Sequence, residues 1–184
     1  MIFDLALALQ LASPINSLFS LPSTLTTELQ TSTTQLIAQR QVSSSRFSVT
    51  YPNTWIVSQN SNNYVIVANQ RMGRGGGQAP PFLIKTDISI VSLSEIHPDY
   101  RSVISGALNG NTRLFSRWQS VNISGYIGVR IWEFTDPLGD FPDAIRTFIP
   151  INNQEILIAT SYYSAVNRSA PSAIVQLHNS IRIF

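Results

Sequence analysis

Long stretches of alternating apolar and polar side chains are the feature that most constrains how this chain can fold. The first runs from Arg46 to Thr50 and beyond, where Phe47, Val49 and Tyr51 alternate with polar residues. A period of two places successive side chains on opposite faces, so it indicates a strand with one buried face. Similar stretches recur to residue 163, and strands joined by short turns pair antiparallel. The sequence therefore predicts a fold built on a mainly antiparallel sheet.

Further strands are predicted on the same grounds. They are residues 55–57, 64–68, 82–93, 112–123, 126–135, 144–151 and 155–163. Within the third of these, Ile84, Ile88 and Ile90 are expected to face the core. The Ser124-Gly125 pair is typical of a tight turn between two strands.

Two segments follow the helical period instead. Residues 98–108 begin with Pro98, which suits a first helical turn, and continue with apolar residues three and four positions apart. A last helix is predicted after Ser169, whose hydroxyl can cap it, with Ile174 and Ile181 on its apolar face. Each helix must bury its apolar stripe against the sheet. The predicted fold class is therefore α+β, an α/β/α sandwich with a central, mainly antiparallel sheet.

Composition narrows the classes of function. The chain has 184 residues and no cysteine, so disulfides, thiolate metal sites and cysteine nucleophiles are excluded. Charged residues make up only 12% of it, the formal net charge is +2, and Lys85 is the only lysine. The arginines are scattered without a basic stripe, which argues against nucleic acid as a partner. Arginine forks do match carboxylates in two-point contacts, and that suits a protein interface.

Residues 1–45 differ in composition from the remainder, so we place the folded domain at residues 46–184. Residues 1–21 are mostly apolar and resemble the apolar region of a secretory signal. No Lys or Arg precedes this run, and Asp4 lies within it. Two interpretations stay open: a signal or anchor, and a packed amino-terminal helix. Residues 22–45 are rich in Ser, Thr and Gln, which is typical of a polar linker.

Three metal-ligating residue types alternate just before the first predicted helix. They are Glu95, His97 and Asp99, which would share one side of an extended segment and could hold zinc. Alternatively, they form the solvated start of the helix, where Asp99 in the first turn complements the helix dipole. Only three ligands are local, so we favour the second interpretation. No metal site and no cofactor-binding residue is predicted.

A glycine-rich loop is the strongest candidate for contact with a partner. Residues 70–81 carry four glycines and end in two prolines. A phosphate-binding loop needs a helix after it, whereas a strand is predicted to follow here. We interpret the segment as a connecting loop that docks on a partner, with Arg71 and Arg74 as contact residues. The loop at residues 136–142 is expected to join this surface.

Catalytic chemistry finds little support in the sequence. Asp136, Asp140 and Asp143 could serve acid–base chemistry or bind calcium. Their spacing does not match a calcium-binding loop, so we interpret them as solvated loop charges. No G-x-S-x-G turn is present. The chain is predicted not to be an enzyme, and no catalytic residue is assigned.

Five segments together are similar to one known family. They are F-x-V-x-Y-P-x-x-W at residues 47–55, the apolar strand at 64–68, the helix after Pro98, G-Y-x-G-x-R at 125–130, and the terminal helix running into residues 179–184. In these features residues 46–184 resemble the PsbP-like family of extrinsic photosystem II proteins, in its cyanobacterial form. The matching positions are mostly core and turn positions, which report fold more than function.

The resemblance implies a role as well as a fold. Members are non-enzymatic proteins of the thylakoid lumen that dock on a photosynthetic membrane complex, so the implied partner is a set of photosystem II subunits. Peripheral association with the membrane and a part in assembly or stabilisation would follow. Two alternatives stay open. One is a small-ligand carrier with a pocket between sheet and helix lined by tryptophan and tyrosine, and the other is a soluble regulator that binds another protein.

Overall fold

The computed structural model describes residues 38–71, 80–109, 117–134 and 143–184, and within them a sheet-rich fold. Ten strands and two helices follow one another along these residues. They are β1 (Gln39–Ser43), β2 (Phe47–Pro52), β3 (Ile56–Asn60), β4 (Tyr64–Ala68), β5 (Ile84–Ser92), α1 (Pro98–Leu108), β6 (Arg117–Ile123), β7 (Tyr126–Phe134), β8 (Asp143–Pro150), β9 (Glu155–Tyr163), α2 (Ala170–Asn179) and β10 (Arg182–Ile183).

Seven of the strands form one sheet in the order β3-β4-β5-β9-β8-β7-β6. Every neighbouring pair is antiparallel, as the alternating pattern predicts. The longest pairing joins β5 to β9 over nine residues, from Ile84 opposite Tyr163 to Ser92 opposite Glu155. Ile84, Ile88 and Ile90 are buried, which confirms the face predicted for this strand.

The two faces of this sheet are covered differently. We call the side under α2 the inner face. There Ile88, Leu157 and Leu177 belong to the largest core cluster, together with Phe47 from β2. We call the opposite side the outer face. There Ile104 of α1 packs against residues of β7, β8 and β9. One helix on each face fits an α+β fold loosely, because the two helices are short and strands dominate.

A second sheet is a finding that the sequence analysis missed. Strands β1, β2 and β10 form a separate three-stranded antiparallel sheet, which adds to the single sheet predicted. Strand β1 lies in the segment interpreted as a polar linker, and Gln39 pairs there with Pro52 of β2. Its side chains are mostly exposed, so the strand has no apolar alternation to reveal it. Backbone pairing to β2 holds it instead.

The helix predictions fare differently from each other. The first helix has the predicted bounds, Pro98–Leu108. The second ends at Asn179, and the chain then extends into β10, so Ile181 is buried beyond the helix. Ser169 is the N-cap residue of α2, as predicted, but its hydroxyl makes no capping hydrogen bond and donates instead to Asn167 Oδ1 at 2.9 Å.

The G-Y-x-G-x-R segment has a structural reason at each of its unusual positions. Ser124 and Gly125 form the predicted turn between β6 and β7, both with positive φ (57° and 87°), a conformation that glycine adopts without strain. A Cβ at Gly128 would meet the backbone carbonyl oxygen of Phe148 on the neighbouring strand. The arginine that ends the segment, Arg130, is buried on the inner face.

Candidate functional site

The register of the sheet brings several connections to one of its ends. Strand β4 finishes there at Ala68 and β5 starts there at Ile84, while β7 finishes at Phe134 and β8 starts at Asp143. Registers in β5, β9 and β8 align Ile84, Tyr163 and Asp143 across this edge. We call it the loop end. The strand ends that flank the two connections predicted to dock, residues 70–81 and 136–142, therefore all lie at the loop end, and residues 72–79 and 135–142 themselves lie outside the described residues.

An exposed aromatic side chain lies on a hydrogen-bonded turn at the loop end. Phe82 is 61% exposed, although its main chain is held firmly. Asn69 Nδ2 and Asn167 Nδ2 both donate to the Phe82 carbonyl oxygen, at 2.8 and 3.1 Å. The Leu83 N–H closes the turn by donating to the Pro80 carbonyl oxygen at 2.9 Å. An apolar side chain of this size, held on a rigid turn, is typical of an interface anchor.

The connections at the loop end carry further exposed side chains. Arg71 is exposed, as a docking residue requires, and so is Arg168 in the connection that leads to α2. Arg74 lies outside the described residues. Val166, in the same connection as Arg168, is 61% exposed. The loop end therefore combines two exposed apolar side chains with arginines, a mixture found at protein interfaces.

Asp143 differs from the solvated charge that the sequence predicts. It is only 8% exposed, and burial raises the pKa of its carboxyl group. Burial also raises the pKa of the neighbouring Tyr163, and the charge of Asp143 adds to that effect. The sequence analysis starts this strand at residue 144, whereas β8 begins with Asp143, so the carboxylate belongs to the sheet and not to the loop. Asp136 and Asp140 lie outside the described residues.

The candidate metal ligands lie over the outer face. Glu95 and His97 line a pocket of about 350 Å³, which also includes Arg146, Thr160 and Tyr162. The Arg146 guanidinium pairs with Glu133 at 3.2 Å, and a fixed positive charge in the same pocket opposes a metal cation. The structure describes the backbone of Asp99 but not its side chain. Among the described residues no three His, Asp or Glu side chains come together, and the zinc hypothesis stays untested.

A buried polar network beneath α2 is the main feature that sequence reasoning missed. His178, which is fully buried, has its two ring nitrogens 2.8 Å from Thr147 Oγ1 and 2.9 Å from Ser161 Oγ. Ser161 Oγ in turn lies 2.6 Å from Thr86 Oγ1. Arg130 Nε donates to Thr147 Oγ1 at 3.0 Å. The chain of hydrogen bonds thus runs across the inner face from β7 to β5.

The donor pattern is compatible with one histidine tautomer in which every group is satisfied. Arg130 can only donate, so Thr147 accepts from it, and the Thr147 hydroxyl can donate to His178 Nδ1 while His178 Nε2–H donates to Ser161. Burial, with the charge of Arg130 as a second cause, lowers the pKa of His178 to about 3. The imidazole is therefore neutral at ordinary pH.

Arg130 is a buried cation, 1% exposed, and no carboxylate lies within ion-pair distance of it among the described residues. Burial lowers its pKa to about 10. Its Nη2 donates to Asn179 Oδ1 at 2.7 Å. Asn179 is the last residue of α2, and the negative end of a helix dipole favours a cation. Helix and sheet are thus joined by charge as well as by apolar contacts.

Ser161 and His178 are spaced like a nucleophile and its base, and their burial explains why they do not form an active site. Both are fully buried, so no substrate reaches the hydroxyl. The second ring nitrogen meets a threonine hydroxyl, whereas a catalytic triad places a carboxylate there. In the sequence, Ser161, Thr147 and Thr86 occupy inward positions of alternating strands. Polar residues at inward positions were the one signal that could have predicted the network.

Comparisons with known proteins give only distant likeness in fold. No protein-family model matches the chain, and no curated protein matches it. A protein from Bacteroides thetaiotaomicron has a TM-score of 0.45 and 12% identity. The match covers 79% of this chain but only about half (48%) of the length of that protein. The solution structure of the cyanobacterial PsbP protein (CyanoP) from Synechocystis has a TM-score of 0.40 and 9% identity, over 83% of this chain and 96% of its own.

A Pseudomonas aeruginosa protein of unknown function has a TM-score of 0.37 and 16% identity, over 70% of this chain and 88% of its own. With TM-scores below 0.5, these likenesses establish no family for this chain. The link to the PsbP-like family is one of distant fold similarity. Within the described residues, neither helix has the length and apolar character needed to cross a bilayer.

Proposed function

We propose that this protein is a non-enzymatic accessory protein that docks on a partner complex through the loop end. The exposed and rigidly held Phe82 is the observation that carries the proposal. Its side chain is 61% exposed, and burying such a ring in a partner is worth about 1.5–3 kcal/mol. The two amides that hold its carbonyl oxygen reduce the entropy that ordering would otherwise cost on binding.

The charges at the loop end supply the second part of the proposal. Arg71, together with Arg74 in the same connection, is suited to pair with carboxylates of a partner. Exposed pairs of this kind are screened by salt, so docking is expected to weaken as ionic strength rises. Apolar anchoring by Phe82 would persist. The two contributions can therefore be separated by their dependence on salt.

The partner that we propose is a photosynthetic membrane complex, with photosystem II as the first candidate. This part of the proposal draws on the sequence segments that resemble the PsbP-like family, from the F-x-V-x-Y-P-x-x-W opening to the terminal helix. Under this proposal the protein lies in the thylakoid lumen, peripheral to the membrane. Its role there would be assembly or stabilisation of the complex.

Co-sedimentation with isolated photosynthetic membranes tests the proposal. Phe82→Ala should reduce the bound fraction at all salt concentrations, and Arg71→Ala combined with Arg74→Ala should reduce it mainly at low salt. Ile127→Ala is the matched control, because Ile127 is 70% exposed and follows the turn between β6 and β7, at the opposite end of the sheet. Equal sedimentation of the wild type, Phe82→Ala and the double arginine variant would contradict docking by the loop end.

A further inference from the structure

A small cavity lies between the three-stranded sheet and α2. Its volume is about 260 Å³, below the usual range for drug-sized ligands. Tyr51 and Trp55 form the aromatic part of its wall, and Gln176 of α2 contributes from the other side. Both aromatic residues belong to the F-x-V-x-Y-P-x-x-W opening. The cavity therefore gives this segment a second possible use besides packing.

The polar side chains around the cavity have hydrogen-bonding capacity to spare. No hydrogen bond within the described residues uses the side chains of Gln39, Tyr51, Thr54, Trp55 or Gln176, all of which line the cavity. Tyr51 is only 8% exposed, but its hydroxyl still reaches solvent, as do the exposed side chains of Gln39, Thr54 and Gln176. Five side chains with unused donors or acceptors thus meet at one small space. Such convergent polar groups are what orients a bound ligand.

The chemistry of the lining excludes charged ligands. Amides, hydroxyls, an indole and apolar groups make up the wall, and none of the lining residues is ionised at neutral pH. A charged ligand would lose its hydration without gaining an opposite charge. A neutral ligand with several hydroxyl groups would instead find donors and acceptors. The electron-rich faces of aromatic rings also attract the weakly positive C–H groups of a sugar ring.

The walls of the cavity are fixed before any ligand arrives. The Asn53 N–H donates to the Ala38 carbonyl oxygen, and the Trp55 N–H donates to that of Pro52, each at 2.9 Å. At the other wall, the Thr50 N–H donates to Ser180 Oγ at 3.0 Å. These bonds connect the chain just before β1 to the chain just after β2, and β2 to the end of α2. A preformed site loses less entropy on binding.

We propose that this cavity is a binding site for a neutral sugar unit of monosaccharide size. The aromatic side chains of Tyr51 and Trp55 contact the carbon face of the ring. The amides of Gln39 and Gln176 and the hydroxyl of Thr54 bind its hydroxyl groups. The site takes no charged sugar, because nothing in its wall offsets a charge.

Titration of the ¹⁵N-labelled full chain by NMR tests this proposal. The probes are glucose, galactose, mannose and N-acetylglucosamine, with gluconate, glucosamine and adenine as contrasting ligands. At least one neutral sugar should shift the Trp55 indole and Gln176 amide signals saturably, with a dissociation constant of about 0.1–10 mM. Gluconate and glucosamine should bind at least about tenfold more weakly.

Two exposed positions provide variants that keep the fold. Gln176→Ala should weaken sugar binding about tenfold, the effect of losing one or two hydrogen bonds, and Thr54→Ala should weaken it severalfold. Gln119→Ala, an exposed glutamine on β6, is the matched control and should bind like the wild type. Phe82→Ala should also bind sugar normally, so failure of the docking proposal and failure of this one are distinguishable.

Three results would overturn the assignment. The first is the absence of saturable shifts with every neutral sugar at about 50 mM. The second is sugar binding that neither Gln176→Ala nor Thr54→Ala weakens. The third is preferential binding of adenine or of a charged sugar, which would assign the site to another class of ligand.

Discussion

The two faces of the seven-stranded sheet use polar residues in opposite ways. On the inner face, Arg130, Thr147 and His178 are completely enclosed and joined by hydrogen bonds. On the outer face, the ion pairs Lys85–Asp87 and Arg146–Glu133 keep between 15% and 25% of their side chains exposed. The inner face is covered by a helix and a second sheet, whereas one short helix covers part of the outer face.

The enclosed groups of the inner face therefore stabilise the fold, whereas the groups of the outer face remain accessible to solvent. A buried polar group is costly when its partner is lost, so the inner network penalises any arrangement in which α2 moves off the sheet. The partly exposed pairs of the outer face are screened by water and contribute less. Four changes, from the largest expected effect to the smallest, test whether the two faces differ in this way.

The two histidines offer the sharpest contrast. His178→Ala should lower the free energy of unfolding by about 3–5 kcal/mol, because it leaves a cavity and removes a partner from both Thr147 and Ser161. His97→Ala, at an exposed position above the outer face, should change it by less than about 1 kcal/mol. Urea unfolding followed by circular dichroism measures both. His178→Gln, which keeps a donor and an acceptor, should be intermediate; similar losses for both alanine variants would refute the contrast.

Isoleucine truncation compares the apolar packing of the two helices. Ile174→Ala in α2 should cost about 3–4 kcal/mol and Ile104→Ala in α1 about 2–3 kcal/mol. Both side chains are buried, but Ile104 also lines an open pocket of about 590 Å³, so water and neighbouring groups can relax into the space. Thermal unfolding of the two variants side by side gives the order. A larger loss for Ile104→Ala would mean that the outer layer is the better packed one.

Acid should weaken the inner face before the outer one. The pKa of His178 is about 3 in the folded protein and about 6.5 when unfolded, so the unfolded state binds the proton first. Stability from this group is full above pH 6.5 and is lost as the pH falls towards 3, by about 2–3 kcal/mol at pH 4.5. Burial raises the pKa values of Glu133 and Asp143, so these carboxyl groups act in the opposite direction: the folded state binds their protons more readily than the unfolded chain does.

Unfolding free energies measured between pH 7.5 and about 4.5 test this expectation. The wild type should lose stability steadily below pH 6.5, and His178→Gln should show a flatter profile over the same range. Identical profiles for the two proteins would contradict the assignment of the loss to His178. His97→Gln serves as the control and should follow the wild type.

The ion pair between the two sheets should have the smallest effect. Arg46 and Glu155 form a two-point contact at 2.6 and 2.9 Å, with about a third of each side chain exposed (34% and 31%). The arginine lowers the pKa of Glu155 to about 2, so its stabilisation is present above pH 4.5 and lost as the pH falls through 2. Arg46→Gln should lower the melting temperature slightly, and less in high salt. A loss as large as that of His178→Ala would contradict this ranking.

Sequence reasoning succeeded where a single periodic pattern decides the structure. The alternation around Ile84, Ile88 and Ile90 predicted the buried face of β5, and Pro98 marked the start of α1. It failed where long-range pairing decides. Strand β1 has no apolar alternation and forms by backbone pairing with β2, and Arg130 and His178 lie 48 positions apart although they share one network. The pairing of β1 leaves no local signature, and the network leaves only polar residues at inward strand positions.

Hydrogen exchange of the full chain with and without photosynthetic membranes tests the central claim most directly. Docking through the loop end predicts added protection at residues 69–71, 80–84 and 164–168, and none at the turn between β6 and β7. Phe82→Ala should reduce that protection. Protection confined to the outer face or to the β6 edge, or none at all while the protein still binds, would contradict it.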